Sequence, residues 1–190
     1  MIRILFTIPN FDTAGSGKAL LNLALGLDKN KFEPHICCKS NEGLFFKTVK
    51  ESGIPVHVFD YEAPMRPVKS LLMDSWKISR LLKKIDPDII HSFHYNNNYG
   101  EAIAARLAGA KWVFTKKNMN WGSDGANAWK IRSKLASHIV IQNSDMQNLF
   151  YPKSNKTTLI ERGIDTLKFA PKDKIDSIKA SLNTPVEGRV

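Results

Sequence analysis

The first 27 residues constrain the fold of this chain more than any other stretch, because they read as a strand, a glycine-bearing loop and a helix in immediate succession. Ile2, Ile4, Leu5, Phe6 and Ile8 form a short apolar run rich in β-branched residues, as expected of a strand buried on both faces. Pro9 and Asn10 end it, and the loop Phe11-Asp12-Thr13-Ala14-Gly15-Ser16-Gly17 follows. Ala19, Leu20, Leu23, Ala24 and Leu27 then recur at helical spacing. A glycine turn feeding a helix N-terminus is a recurrent anion site. The free N–H groups of the first turn and the helix dipole both favour negative charge, and glycine lets a phosphate approach the backbone. Gly15, Ser16 and Gly17 are therefore candidate phosphate ligands; the plainer reading is a tight turn at the start of an α/β domain.

Two sharper motifs fail on spacing. A P-loop needs a glycine five residues before Gly17 and Ser or Thr after the lysine, but these positions hold Asp12 and Ala19. A dinucleotide fingerprint needs a third glycine, where Leu20 stands, and an acid ending the second strand, where the chain reads Cys37-Cys38-Lys39.

The 190 residues suffice for one domain with an adequate core, or one domain plus a fragment. No apolar run reaches the ~18 residues of a membrane span, and Met1-Ile2-Arg3 leads into a strand without a signal-peptide pattern. Cys37 and Cys38 are neighbours on a predicted strand and should face opposite ways, unpaired, which fits a reducing cytoplasm. A net charge of +10 favours an acidic partner, whether anionic lipid, a phosphorylated substrate or nucleic acid. For nucleic acid the sequence offers charge but no recognisable binding motif, and none is expected as partner. No His/Cys cluster at ligand spacing is read in the sequence, and neither metal nor resident cofactor is expected.

Further strands are predicted at Phe32–Cys38, Val56–Phe59, Asp88–Phe93, Trp112–Thr115, His138–Gln142 and Thr158–Ile160, with helices between them. The longest helix, Val68 to Ile85, carries Leu71, Leu72, Ile78, Leu82 and Ile85 along one side and Lys77, Arg80, Lys83 and Lys84 mainly on the other. Ser144 is expected to cap a short helix through Phe150. This alternation predicts a Rossmann-like α/β fold, a mainly parallel sheet with helices on both faces. Ligands of such sheets bind beyond the carboxyl ends of the strands. One rim then holds Gly15-Ser16-Gly17, His91, His94 and Lys116-Lys117-Asn118, a set suited to a phosphate-bearing, hydroxyl-rich ligand.

Four segments, in order, resemble the N-terminal domain of the group 1 (family 4) glycosyltransferases of GT-B fold: Ile4 to Leu27; Pro87-Asp88-Ile89-Ile90-His91-Ser92; Ala102-Ile103-Ala104-Ala105-Arg106-Leu107-Ala108-Gly109; and Arg162-Gly163-Ile164-Asp165 with Phe169-Ala170-Pro171. The resemblance covers roughly residues 1–171 and implies that 172–190 are a linker or the start of a C-terminal donor-binding domain. The family's Glu-x₇-Glu motif and its diphosphate-binding Arg and Lys belong to that second domain, and none is found here. The sequence departs from the family where Ser16 separates two glycines that are usually adjacent. Phe93 stands at a second histidine position, with His94 one place later, and Arg162 replaces a common Asn.

The resemblance implies transfer of a hexose, with retention, from a nucleotide sugar to a hydroxyl of a glycan or glycolipid, by an enzyme of which this chain is only half. It implies donor-phosphate contacts at Gly15, Ser16 and Gly17, and a donor-sugar role for His94, just beyond its strand, or for His91. The loop residues Lys116, Lys117 and Asn118 are expected as acceptor contacts. The plainer alternatives are a satisfied core histidine at His91, a solvated loop at Lys116–Asn118, and packing roles for Trp121 and Trp129. The basic helix face offers contact with an anionic membrane, against the plainer reading of a solvated face. The functional alternative for the whole chain is a non-catalytic module binding anionic sugars or lipids.

Overall fold

The computed structural model describes residues 1–12, 14–119, 125–164, 166, 169 and 170. The elements are β1 (Ile2–Ile8), α1 (Ala14–Leu25), β2 (Phe32–Cys38), α2 (Phe46–Glu51), β3 (Val56–Val58), α3 (Val68–Ile85), β4 (Ile89–Ser92), α4 (Gly100–Ala108), β5 (Lys111–Lys116), α5 (Ala126–Leu135), β6 (His138–Ile141), α6 (Ser144–Phe150) and β7 (Thr157–Leu159). The strands form one sheet in the order β3-β2-β1-β4-β5-β6-β7, parallel at each pairing. This is the Rossmann-like arrangement expected from the alternation, and β7 extends it at one edge.

Strand alternation divides the interior into two cores. Leu5, Cys37, Ile90, Trp112 and Phe114 pack with residues of α3, α4 and α5, among them Leu82, Ala104 and Trp129. Ile4, Phe6, Ile8, Ile36 and Cys38 point the other way and pack with Leu20, Leu21 and Ala24 of α1. Cys37 and Cys38 thus lie in opposite cores as free thiols.

Local chemistry sets the element ends. Asp86, before Pro87, leaves the helical region for a left-handed conformation (φ 55°, ψ 55°) and closes α3. Gly109 closes α4 at φ 92°, a conformation glycine adopts without strain. The cap of α6 is Asn143 rather than Ser144: its side chain accepts the N–H of Met146 at 2.9 Å.

The start of α1 departs from expectation. Gly15, Ser16 and Gly17 are not a loop ahead of the helix; they form its first turn, which begins at Ala14. Gly17 lies against the fully buried ring of Phe11, where a Cβ would come within 2.7 Å of Phe11 Cδ1. The anchored ring brings the chain into helix earlier than two glycines would on propensity alone.

The strand order reverses between β1 and β4. From β1 the chain passes to α1 on one face, and from β4 to α4 on the other, which opens a crevice at the carboxyl ends of the two central strands.

Candidate functional site

Beside that crevice, on the α1 face, lies a cavity of about 450 Å³. Phe6, His91, Thr115, Gln142, Arg162 and Gly163 line it. His91 stands opposite Phe6 in the β1–β4 register, and its Nε2 lies 2.8 Å from Thr115 Oγ1. Burial, the largest effect on the ring, pushes its pKa down to about 4. His91 is therefore a neutral, oriented imidazole at neutral pH, and it faces a space large enough for a ligand.

The first turn of α1 borders the crevice. Ser16 Oγ lies 2.7 Å from the hydroxyl of Tyr95, in the loop after β4. A Cβ added at Gly15 would meet nothing within 4 Å, so the backbone there is open to a ligand. Among the described residues, the first turn of α1 holds no acid to satisfy its N–H groups. Tyr95 also covers Lys117, whose Nζ sits 3.8 Å from the ring centroid and donates to the carbonyl of Phe93. Burial, then the charges of Arg162 and Arg132, lowers the Lys117 pKa to about 7.

Two candidates lie elsewhere than expected. His94 does not stand open on the rim; it is 2% exposed. Its Nε2 is 3.0 Å from Glu101 Oε2, 3.3 Å from Glu62 Oε1 and 3.0 Å from Arg132 Nη1. The reason is Glu101, fully buried in α4, which also accepts from Thr7 Oγ1. Burial alone would raise the Glu101 pKa, but its bonds from His94 and Thr7 hold it below the ordinary carboxylate value. Burial, then Arg132, lowers the pKa of His94. Arg132 donates to Asn98 O at 2.6 Å, and its guanidinium carbon lies 4.7 Å from the ring centroids of both Trp112 and Phe114. The cluster ties β1, β4, α4 and α5 to the loop carrying Tyr95.

Lys116 is the second. It alternates to the face opposite Thr115, is 1% exposed, and lies over Trp129 and Phe150 at 4.9 and 4.5 Å. Its Nζ donates to the backbone carbonyl of Asn118 at 2.6 Å and to Asn118 Oδ1. Period-two alternation along a strand puts neighbouring lysines on opposite sides, so Lys117 alone of the pair reaches the crevice. Trp129, 4% exposed, is a packing residue, whereas Trp121 lies outside the described residues.

Sequence reasoning passed over Tyr95, Thr115, Gln142 and the Glu101–Arg132 pair. The available signals were the phase of Thr115 with Val113 on one strand and a glutamate within an alanine-rich helix. Among the described residues no group of three His, Cys, Asp or Glu could hold a metal ion.

The sequence profile described as Glycosyltransferase Family 4 matches residues 13–167. No curated protein sequence matches the chain significantly. Among solved structures, HepE of Anabaena in complex with UDP and glucose superposes with a TM-score of 0.71 at 17% identity, over 96% of this chain and 50% of that one. A glycosyltransferase of Rickettsia africae gives 0.69 at 16%, over 98% and 50%. MurG of Acinetobacter baumannii gives 0.62 at 15%, over 92% and 50%. The chain thus spans about half the length of the solved structures it matches.

Proposed function

The chain belongs to glycosyltransferase family 4, and on that premise we propose that it is the N-terminal, acceptor-side half of an enzyme that moves a hexose from a nucleotide sugar to a hydroxyl of a glycan or glycolipid. Residues 1–171 form that half, and 172–190 lead into a donor-binding domain. The UDP and glucose bound by HepE make a UDP-sugar the first donor to test. The proposed reaction retains configuration at the anomeric carbon and takes place in the cytoplasm, at the inner face of the membrane when the acceptor is a glycolipid.

In the reaction the bond from the anomeric carbon to the diphosphate breaks, and its electron pair leaves with the diphosphate. The acceptor oxygen bonds to the anomeric carbon and gives its proton to the departing diphosphate. The N–H groups of Gly15, Ser16 and Gly17 would stabilise the charge developing on the diphosphate. His91, neutral and held by Thr115, positions the donor sugar as hydrogen-bond donor or acceptor. His94 serves from within, through the cluster that fixes the loop after β4. Lys117 is the acceptor-side cation, while Lys116 holds the loop through Asn118.

The observation that carries this reading is that His91 and Thr115 face one cavity beside the open first turn of α1, at the reversal of strand order. The test is His91→Ala in the full-length enzyme, assayed with a panel of nucleotide sugars. Turnover should fall tenfold or more while the melting temperature stays within a few degrees. Unchanged kinetics would remove the histidine role. A full-length protein that binds glycans but cleaves no nucleotide sugar would favour the binding-module alternative.

A further inference from the structure

At the β3 edge of the sheet, away from the proposed site, two histidines bond each other across the last strand pair. His35 Nδ1 lies 2.9 Å from His57 Nε2. The two rings are parallel to within 3°, with centroids 5.3 Å apart. With parallel rings, that nitrogen separation at that centroid distance puts both nitrogens on the line between the centroids. The rings therefore meet edge to edge, as in an N–H···N hydrogen bond. His35 Nε2 lies 3.0 Å from Glu33 Oε1, and Arg3 Nε donates to Glu33 Oε2 at 3.0 Å. Register and alternation put Arg3, Glu33, His35, Cys37 and His57 on the sheet face that α3 covers.

This chain of contacts fixes the protons. Bonds from His35 and then Arg3 hold the Glu33 carboxyl below its ordinary value, so near neutral pH it is ionised and only accepts. His35 therefore carries its proton on Nε2, its Nδ1 is a lone pair, and His57 donates to it from Nε2. One added proton, on the outer Nδ1 of His57, leaves that bond in place. A proton on each ring does not: every ring nitrogen then bears a hydrogen, and two N–H groups and two like charges oppose each other beside a single carboxylate. The other groups around the pair do not offset this. Burial keeps Cys37 a neutral thiol. The last turn of α3 meets the cluster through the carbonyls of Ile85 and Asp86, which accept from Arg3, while Lys83 and Lys84 of that turn are exposed. Burial, then the charge of His35, lowers the pKa of His57 below the ordinary 6.5. The bonded pair thus binds fewer protons than separated rings would, and its hold is intact above pH 6.5 and lost as pH falls below it.

The strand that the pair holds is short. β3 has three residues and pairs with β2 at the end of the sheet. The backbone bonds Ile36 N–H to Pro55 O, at 2.9 Å, and Phe59 N–H to Cys38 O, at 3.0 Å, flank the pair. From β3 the chain passes directly to Glu62 and Ala63. Glu62 accepts from Lys39 Nζ at 2.7 Å and from Asn96 Nδ2 at 3.3 Å, and lies 3.3 Å from His94 Nε2. Ala63 O accepts from Asn98 Nδ2 at 3.0 Å. The seating of β3 therefore sets the seating of the loop that braces the one carrying Tyr95.

We infer that His35 and His57 form a proton-operated latch on the sheet edge: with both rings protonated the pair repels, β3 parts from β2, and the Glu62 loop loosens from the loop after β4. Only the consequence for sugar transfer rests on the proposed function. The opening itself needs no substrate, so its failure and the failure of the transferase reading are distinguishable.

The test is amide hydrogen exchange of the purified chain, read by NMR between about pH 7.5 and 5.5 and corrected for the intrinsic exchange rate. Protection of the Ile36 and Phe59 amides should fall several-fold over that interval. The Lys111 amide, bonded to Asp88 O between the central strands, should change much less. The side-chain amide signal of Asn98 should shift together with the fall at Phe59. His57→Gln keeps a donor for His35 Nδ1 and, with its amide turned over, an acceptor for a protonated His35. His35→Gln can accept from His57 and donate to Glu33. Neither variant can hold two opposed protonated rings, so each should abolish most of the fall while keeping a native spectrum at pH 7.5. No fall at Ile36 and Phe59, an equal fall at Lys111, or an undiminished fall in both variants would overturn the latch. An unmoved Asn98 signal would overturn its coupling to the loop.

Discussion

The hydroxyls of Ser16 and Tyr95 meet 2.7 Å apart, across the point where the sheet reverses its strand order. One residue belongs to the first turn of α1 and the other to the loop after β4, so this contact spans the mouth of the crevice. It is an exposed, neutral hydrogen bond, worth about 1 kcal/mol at most. Ser16→Ala and Tyr95→Phe should therefore shift the urea midpoint little. In the full-length enzyme each should raise the KM for the nucleotide sugar several-fold, because the turn proposed to receive the diphosphate would lose its tether. A large loss of stability with unaltered KM would make the contact purely structural.

The two glycines of that turn separate experimentally. At Gly17 a methyl group would overlap the buried ring of Phe11, at 2.7 Å from Cδ1. Gly17→Ala should destabilise the chain by about 1–3 kcal/mol, as overpacking does. At Gly15 a methyl group meets open space. Gly15→Ala should be neutral or stabilise by up to about 1 kcal/mol, on helix propensity. Urea denaturation of the two variants measures the difference.

Acid should weaken the fold through its histidines. The folded pKa of His91 is about 4 against an ordinary 6.5. Between those values the unfolded chain binds more protons than the folded one, so stability is intact above pH 6.5 and falls as pH drops toward 4. His94, whose pKa is also lowered, adds to the fall in the same direction. Glu101, held below the ordinary carboxylate value of 4.5, extends the loss to lower pH. The His91 contribution has an upper bound of about 3 kcal/mol. His91→Gln keeps a hydrogen-bonding partner for Thr115 and should flatten the decline, as read from denaturation midpoints between pH 7 and 4.5. An unaltered slope would place the acid sensitivity elsewhere.

These relationships mark where the chain discloses its structure. The sheet is legible because strands buried on both faces carry runs such as Ile89-Ile90, and Asp86-Pro87 or Gly109 mark the helix ends between them. The first turn of α1 is not, because Gly15 and Gly17 argue locally against helix while the ring that draws the chain in, Phe11, acts through a tertiary contact. His94 follows a strand and reads as a rim residue. Its burial depends on Glu101 and Arg132, whose proximity is a consequence of packing α4 and α5 on the same face. Local pattern placed His91 in the strand but left its role open; in the structure it bonds Thr115 on the adjacent strand and lines the cavity.

Lys117 is the residue where stability and function should oppose each other. Its ammonium is partly buried, beside the like charges of Arg162 and Arg132. Among the described residues its contacts are a carbonyl and two aromatic rings. With a folded pKa of about 7 against the ordinary 10.5, the unfolded chain holds a proton that the folded chain sheds across this interval. Stability should therefore rise with pH from 7 toward 10.5, and the penalty is fully present below 7. Lys117→Met removes the charge and keeps the aliphatic stem under Tyr95. It should stabilise the chain by about 1 kcal/mol at pH 7 and abolish this part of the rise above it. An anionic group on a bound acceptor would supply a counter-charge, so the same variant in the full-length enzyme should raise the acceptor KM about tenfold or more. A variant that is both more stable and undiminished in acceptor use would show that Lys117 is a tolerated burial rather than a binding residue.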